Sequence, residues 1–368
     1  MSVQKFRELN KRRNTDAKPW TMTHAFFADM GGFLLDGPGI DIPFPIDAEQ
    51  LLFLVEKGYV EYPSLSREDI EDRNKSDGLA RFITICQAVW FLVNCIVRGV
   101  QHLTITTIEL TTVAFVIVFF FTSFCWYYKP LDLSTTTTLT VNTNIDQIQA
   151  ENSPYDHQDY YTNPLDFIYS EVYLCGIFWR YFNQILLKVH LPLFSRAVHT
   201  KPYNRIPSDN FLPLDITAEL ITPPVIILFG SMFMFAWNFH FPSVLEQTRW
   251  RTSSICTLCF SIFGQLAIKY LQIFVMPKVS TERQILPSWM KKIQESWVSQ
   301  MGATLRNIHP SKDPRLDIPL RALIPYSALC ALYCVCRAYI LIEDFIGLRS
   351  LPVSAFQTIS WSVYVPHL

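Results

Sequence analysis

Ionisable and amide side chains in, or at the ends of, long apolar stretches are the residues of this chain that could do chemistry. They are Arg98, Glu109, Asn238, Arg337, Glu343 and Asp344. A charged group in hydrocarbon costs at least about 2.5 to 3.5 kcal/mol, so such groups are expected to face a shared interior and to serve a function. At helical spacing each falls on the polar face of its stretch, near the same end. The sequence therefore predicts a polar cavity bounded by these six residues.

Glu109 is the residue that we expect to act as an acid in this cavity, with Asp344 as the second choice. A carboxylic acid whose pKa is raised by apolar surroundings suits protonation of an alkene or epoxide. The residues expected to bind the substrate are Arg98, Asn238, Arg337 and Glu343. A structural interpretation is also open, in which Arg98 with Glu109 and Arg337 with Asp344 form ion pairs that only fix helix packing.

No cofactor and no metal ion is expected. The chain lacks a phosphate-binding loop, a dinucleotide-binding glycine pattern and the histidine spacing of zinc enzymes. One acidic cluster, made of Glu68, Asp69, Glu71 and Asp72, could hold magnesium ions on a diphosphate. Ser66 before this cluster is typical of a helix start, and basic residues follow the acidic ones at four-residue spacing. These features favour a solvated surface helix instead.

Five apolar stretches are long enough to cross a bilayer and would position the six residues. A spanning helix needs about 20 largely apolar residues. The predicted spans are 82–101, 104–127, 224–241, 254–276 and 322–342. The first two form a tight hairpin, which brings Arg98 and Glu109 to similar depth. Pro223 and Pro224 are placed at the start of the third span, where proline is tolerated, and Trp250 is expected at a membrane interface as an aromatic anchor.

The predicted fold class is an all-α integral membrane bundle of about five transmembrane helices, with interfacial helices and a cytosolic N-terminal segment. Its parts are a cytosolic segment with short amphipathic helices (1–81), a transmembrane hairpin (82–127), a cytosolic loop with an interfacial helix (128–222), the third and fourth spans (223–277), a cytosolic loop (278–320), and the fifth span with a tail (321–368). Within them, 165–194 suits a helix in the headgroup layer, 24–35 suits a re-entrant or interfacial piece, and 134–163 suits a flexible loop.

Composition and charge agree with a membrane protein. Apolar residues make up 50% of the chain and charged residues only 17%, against roughly a quarter charged in soluble domains. The formal net charge is −1, so no global field attracts nucleic acid, and membrane lipids are the expected partners. Five spans would place the basic segments on one side, which predicts a cytosolic N-terminus in an endomembrane such as the endoplasmic reticulum.

Three stretches carry a resemblance to a known family. They are WTMTHAFFADMGGF at 20–33, TITTIEL at 104–110 and RAYILIEDFIGLRSLP at 337–352, followed by YVPHL at the end. Together with the hairpin they resemble an uncharacterised family of multi-pass membrane proteins from filamentous fungi. The resemblance brings no activity and no catalytic residues, but it implies that HAFFADMGGF belongs to the fold.

The function expected from these features is the handling of a lipophilic small molecule, within a fungal secondary-metabolite pathway. The protein would be a cofactor-free cyclase or isomerase, or an accessory protein for one. The alternative is a channel-like or receptor-like membrane protein without catalytic activity, which the hairpin and the polar helix faces suit equally well.

Overall fold

The computed structural model describes residues 2–13, 19–72, 78–130, 135–152, 160–169, 173–209, 211, 216–275 and 297–361. The chain is mostly helical, and it divides into two compact units that interleave along the sequence. The first unit consists of Met1–Ser76, Tyr127–Asp215 and Leu286–Leu320, and the second consists of Asp77–Trp126, Ile216–Ile285 and Arg321–Leu368.

The first unit combines short helices with a small sheet. Its helices are α1 (Ser2–Arg13), α2 (Met22–Asp29), α3 (Ala48–Lys57), α4 (Arg67–Asp72), α7 (Ile145–Asn152), α8 (Leu174–Lys188) and α11 (Trp297–Arg306). Its strands are β1 (Phe33–Asp36), β2 (Phe44–Ile46) and β3 (Thr137–Thr140). The order is β2-β1-β3, with β2 antiparallel and β3 parallel to β1. The all-α prediction omitted this sheet. The prediction of a loop over 134–163 was also wrong, because that segment supplies β3 and α7.

The apolar segment 24–35 lies in the core of the first unit. It forms the end of α2, a tight turn and most of β1, and Phe27, Phe33 and Leu35 are fully buried. Gly31 takes a positive φ of 82° in the turn, a conformation that glycine adopts without steric cost. Asp29 at the end of α2 accepts a hydrogen bond from the Ala48 N–H at 3.0 Å. The segment is therefore the helix–turn–strand around which the unit is built.

The second unit is made of long helices. They are α5 (Gly78–Val100), α6 (Thr107–Cys125), α9 (Ile216–Met232), α10 (Val244–Tyr270) and α12 (Leu320–Ile346, whose first residue is assigned to the first unit). Among the residues that the structure describes, four helical stretches are long and apolar enough to cross a membrane: Gly78–Val100, Thr107–Cys125, Thr217–Asn238 and Val244–Val275. They correspond to the first four predicted spans. The 27-residue helix α12 is not one of the four, so a fifth crossing stays a prediction.

The start of the third span was predicted wrongly. Helix α9 begins at Ile216, so Pro223 and Pro224 lie inside it. Trp250, predicted to be an interfacial anchor, is fully buried in the protein, where its indole N–H donates to the Phe233 carbonyl at 3.2 Å. A buried tryptophan needs such a partner.

Candidate functional site

Arg98 and Glu109 form the ion pair that the hairpin geometry predicts. Arg98 Nε lies 3.7 Å from Glu109 Oε1. The other carboxylate oxygen, Oε2, accepts hydrogen bonds from the N–H and hydroxyl of Thr106 at 2.8 and 3.0 Å, and the Thr106 hydroxyl accepts from the Glu109 N–H at 3.3 Å. This is a capping box at the start of α6. Glu109 is thus committed to holding the hairpin, and it is a poor candidate for the acid.

Arg98 also holds the segment that follows α12. Its Nη2 donates to the carbonyl oxygens of Thr104 and Ala355 at 2.8 and 3.0 Å, and its Nη1 donates to that of Gln357 at 3.1 Å. The rings of Trp90 and Trp361 stack nearby with centroids 5.2 Å apart. Arg98 of α5 therefore contacts both the hairpin turn and the segment 354–361, and its hydrogen bonds hold these parts together.

Glu343 and Asp344 are the two buried carboxyl groups of α12, with 2% and 1% of their surface exposed. Glu343 Oε2 accepts a hydrogen bond from the Tyr339 hydroxyl at 3.1 Å, whereas its Oε1 has no hydrogen-bond partner. Neither oxygen of Asp344 has a well-formed hydrogen bond, and the hydroxyls of Thr111 and Thr107 on α6 are the groups that lie close enough to donate to it. The hydroxyl of Thr111 is likewise buried without a well-formed hydrogen bond. A buried carboxyl group without a well-formed hydrogen bond is unusual and points to a functional role or an additional ligand.

Arg337 lies among aromatic rings instead of pairing with Asp344. Its guanidinium carbon is 4.3 Å from the centroid of Phe233, 5.2 Å from that of Phe229 and 5.9 Å from that of Phe115. Its Nη1 is buried without a hydrogen-bond partner. No ion pair joins Arg337 to Asp344 in the described residues, because two helical turns separate them by about 10 Å along the axis. The expected Arg337–Asp344 ion pair is therefore not formed.

Side chains of α6 and α12 meet in antiparallel order. Thr111 lies beside Asp344, and Phe115, one turn further along α6, lies beside Arg337, seven residues before Asp344 on α12. Gly347, just after the end of α12, continues this antiparallel pairing, because a Cβ built there would lie 3.9 Å from the Thr107 hydroxyl near the start of α6. The interface between α6 and α12 thus carries the buried Asp344 and the half-buried Arg337, with aromatic and hydroxyl side chains beside them.

Asn238 has a different neighbour from the one expected. Its side-chain oxygen accepts a hydrogen bond from Arg251 Nη2 at 3.4 Å. Arg251 also donates from Nε to the Trp237 carbonyl at 2.9 Å, and its guanidinium lies 4.9 Å from the centroid of the Trp237 ring. Asn238 therefore ends the third span by contacting Arg251 of α10, whereas the expected cavity had placed it with Arg337 and the carboxyl groups of α12.

Sequence reasoning missed Glu246 and Ser243, which lie at the start of α10 near the buried carboxyl groups. Glu246 near the start of α10 forms an ion pair with Arg349, and its backbone carbonyl accepts a hydrogen bond from the Tyr339 hydroxyl at 3.3 Å. Ser243 caps α10 by accepting from the Glu246 N–H at 3.2 Å. The Ser-x-x-Glu spacing is a helix-start pattern that could have shown α10 beginning at Val244. At the other end of α10, Lys269 forms an ion pair with Glu219 of α9 at 2.8 Å.

The space beside these polar groups is small. A cavity of about 20 Å³ lies beside the start of α6, between Thr104–Thr107 and the segment 347–352. A space of this size holds about one water molecule. Among the residues that the structure describes, no group of three His, Cys, Asp or Glu side chains could hold a metal ion. The side chains at the interface between α6 and α12 offer carboxyl, hydroxyl and guanidinium groups.

These features define a membrane protein: four membrane-length apolar helices with buried ionisable groups, and a separate compact unit with a small sheet. The chain belongs to a family described only as a family of unknown function, DUF8562, whose match covers residues 2–152 and 225–368. That result agrees with the predicted resemblance to an uncharacterised family. No curated protein and no solved structure matches the chain.

Proposed function

We propose that this protein is a multi-pass membrane protein that handles a lipophilic small molecule at the interface between α6 and α12, with Asp344 as the acid. In this proposal α12 is the fifth span, the N-terminus faces the cytosol and the protein resides in an endomembrane. The molecule belongs to secondary metabolism and is isomerised or cyclised without a cofactor. Arg337 binds a polar group of the molecule, and Glu343 supports the site next to the acid.

The observation that carries this proposal is the pair of incompletely hydrogen-bonded polar groups on one face of α12. Arg337 Nη1 is buried without a partner, and Asp344 has only the hydroxyls of Thr111 and Thr107 within reach. Leaving such groups unpaired costs about 1 to 3 kcal/mol each, or more when charged. A ligand with a polar end would supply the missing hydrogen bonds.

The space beside the site indicates how a lipophilic molecule would bind. The adjoining cavity of about 20 Å³ accepts a polar end but not an apolar body. Large apolar side chains such as Phe124 (83% exposed) and Phe345 (61%) cover the outside of α6 and α12, and the apolar body would lie against them. The polar end alone would then enter between the helices.

The reaction that fits these groups is acid-catalysed cyclisation of an epoxide-bearing polyene. The O–H bond of Asp344 breaks as a new O–H bond forms on the epoxide oxygen, and the epoxide C–O bond breaks. A neighbouring alkene forms a C–C bond to the resulting cationic carbon. The new carbocation then loses a proton to the carboxylate, which restores the acid. Substrate and product have the same elemental composition, so no oxidant or reductant is needed.

The test compares the molecules that copurify with the wild-type protein and with Asp344→Asn, expressed in the cells that make the protein. Lipophilic extracts of both proteins are analysed by mass spectrometry, and candidate epoxide-bearing polyprenyl substrates are then added to each. We expect the variant to retain a compound of the same mass as the wild-type product but with a different retention time. Glu109→Gln is the matched control, because it changes a carboxyl group of α6 whose hydrogen bonds from Thr106 the amide oxygen can still accept.

Three outcomes separate the alternatives. Isomeric compounds in the two proteins would support the catalytic proposal. The same compound in both, with no conversion, would overturn catalysis and favour the receptor-like alternative. No bound lipophilic compound in either protein would overturn the proposed function.

A further inference from the structure

An exposed apolar turn follows helix α8 in the first unit. None of the residues from 173 to 184 is exposed, whereas every residue from 188 to 194 is exposed. Four large apolar side chains in this short stretch have between 49% and 67% of their surface exposed: Val189, Leu191, Leu193 and Phe194. Single exposed apolar residues are common, but a group of them marks a surface that contacts a protein or a membrane. Residues 188–196 are called the α8 turn below.

The α8 turn narrows the prediction that the whole of 165–194 lies in the headgroup layer. Helix α8 buries Leu174, Ile177 and Phe178 in the protein. The Tyr181 hydroxyl donates a hydrogen bond to the Leu305 carbonyl of α11 at 3.0 Å. Most of α8 is therefore used for packing within the first unit, and the apolar surface that remains available lies at its end.

The backbone of the α8 turn has a defined conformation. The Leu191 N–H donates to the Leu186 carbonyl at 2.9 Å, and the His190 N–H donates to the Leu187 carbonyl at 3.1 Å. These two hydrogen bonds are those of the Schellman motif, which ends a helix with a residue in the left-handed region. His190 occupies that position with a φ of 59°. The motif therefore stops α8 and leads the apolar residues out of the helix in a fixed direction.

Aromatic rings form the base of the turn. The ring of Trp179 on α8 lies with its centroid 5.1 Å from that of Phe194 and 6.3 Å from that of Phe211. Trp179 is only partly exposed, whereas Phe194 and Phe211 are exposed. Tryptophan is enriched at membrane interfaces, where its ring lies at the level of the headgroups. The exposed apolar surface thus extends from the turn onto an aromatic cluster of the type found at lipid interfaces.

Cations flank the α8 turn at both ends. Lys188 ends α8 and Arg196 ends the turn, and both are exposed. Within the part of the chain that the structure describes, no ion pair involves either side chain. The sequence has no acidic residue from 172 to 208, and Asp209 is buried beside Arg180. Apolar side chains between two unpaired positive charges complement a lipid surface with negative charge.

We propose that the α8 turn inserts its apolar side chains into a membrane surface that carries anionic headgroups, and that Lys188 and Arg196 bind those headgroups. The apolar side chains leave water for the boundary between headgroups and acyl chains, and each cation near an anionic leaflet strengthens the binding. This contact is made by the first unit and uses no residue of α6 or α12. Failure of this proposal and failure of the proposed function are therefore distinguishable.

The test places a photoreactive benzophenone amino acid at position 193 of the full-length protein, reconstituted in lipid nanodiscs. One set of nanodiscs contains phosphatidylcholine alone, and the other contains phosphatidylcholine mixed with phosphatidylserine. After irradiation, peptide mass spectrometry identifies what the probe has bound. We expect lipid adducts that are about fivefold or more abundant with phosphatidylserine, because each cation near an anionic surface contributes a preference of about fivefold. The benzophenone group is apolar, so the probe keeps the character of Leu193.

Two double variants show whether the flanking cations are responsible. Lys188→Gln combined with Arg196→Gln should lower the adduct yield with phosphatidylserine to the yield with phosphatidylcholine alone. Lys5→Gln combined with Lys57→Gln is the matched control, because it removes two exposed cations of the same unit, and it should leave the yield unchanged.

Three results would overturn the proposal. Adducts between two copies of the chain in place of lipid adducts would assign the α8 turn to self-association. The absence of any adduct would show that the turn stays in water. Lipid adducts with the same yield on both kinds of nanodisc, unaffected by Lys188→Gln with Arg196→Gln, would show that anionic headgroups are not recognised.

Discussion

The Arg337 guanidinium lies 4.3 Å from the centre of the Phe233 ring and forms no ion pair with Asp344, two helical turns away on the same helix. A cation on an aromatic face is stabilised by about 0.5 to 2 kcal/mol, less than a buried guanidinium gains from full hydrogen bonding. Arg337 is therefore held in place but left with donor capacity. The proposed ligand would use this remaining donor capacity.

Replacing Arg337 by methionine tests that interpretation. We expect Arg337→Met to lose the copurifying lipophilic molecule, while the free energy of unfolding changes by less than about 1 kcal/mol, because the lost cation–π contact is offset by relief of a buried charge. Thermal unfolding and mass spectrometry of the bound fraction measure the two effects. A stability loss above about 3 kcal/mol with the molecule retained would show a structural role instead.

Glu109 is expected to serve the helix start and not the chemistry. Glu109→Ala should destabilise the protein by about 1 to 2 kcal/mol through loss of the capping box and the Arg98 ion pair. Glu109→Gln should cost less, since the amide oxygen still accepts from Thr106. Turnover per folded molecule should be unchanged in both variants. A Gln variant that is stable but inactive would return Glu109 to the role of the acid.

Close packing of α9 on α10 depends on Gly230. A Cβ at this position would lie 2.3 Å from the Ser261 hydroxyl oxygen and 3.0 Å from its Cβ. Gly230→Ala should therefore destabilise the second unit by about 1 to 3 kcal/mol, measured as a lower midpoint of thermal unfolding. Adding Ser261→Gly removes both contacts and should recover most of the loss. Failure of the double variant to recover would mean that the two helices do not pack in this way.

Asp29 makes the first unit sensitive to pH. Burial, with help from Asp47 and Glu49, raises its pKa to about 6, against the opposing hydrogen bond from Ala48. A carboxyl group whose pKa is higher in the folded than in the unfolded state favours folding when it is protonated. The contribution of Asp29 to the free energy of unfolding is therefore full below about pH 4 and is lost as the pH rises through about 6. Asp29→Asn keeps the acceptor for the Ala48 N–H and should remove this slope.

The measurement for Asp29 is urea unfolding of wild-type protein and Asp29→Asn at about pH 4 and about pH 7. We expect Asp29→Asn to be more stable than wild type by about 1 to 2 kcal/mol near pH 7 and about equal near pH 4, after discounting for partial exposure. If the two proteins differed in free energy of unfolding by the same amount at both pH values, the raised pKa of Asp29 would be contradicted.

The sequence predicted the parts of the fold that depend on local patterns. Apolar runs located four membrane-length helices, and the short turn between two of them placed Arg98 beside Glu109. Contacts between distant segments were not accessible in this way. The parallel pairing of β1 with β3 joins residues about a hundred positions apart, and the short strand β3 lies in a threonine-rich stretch typical of a loop. Trp250 likewise looked like an interfacial anchor because its buried partner, Phe233, lies on another helix.

The candidate site was predicted in part for the same reason. Helical spacing placed Arg337 and Asp344 on one face of the helix, as the structure has them. Spacing alone cannot tell whether two side chains that are two turns apart form an ion pair. The aromatic rings around Arg337 come from α6 and from the end of the third span. A polar cavity in the first unit is lined by residues from four segments that are distant in the sequence. No local sequence pattern predicts such a cavity.

The most direct test is chemical labelling of Asp344 with two carbodiimides, one lipophilic and one water-soluble, followed by peptide mass spectrometry. A lipophilic carbodiimide reacts with carboxylic acids in apolar surroundings that lipophilic molecules can reach. We predict that it modifies Asp344, that the bound lipophilic molecule protects against it, and that the water-soluble reagent leaves Asp344 unmodified. Modification of Asp344 by the water-soluble reagent, or no modification by the lipophilic one in protein freed of its ligand, would contradict the proposed site.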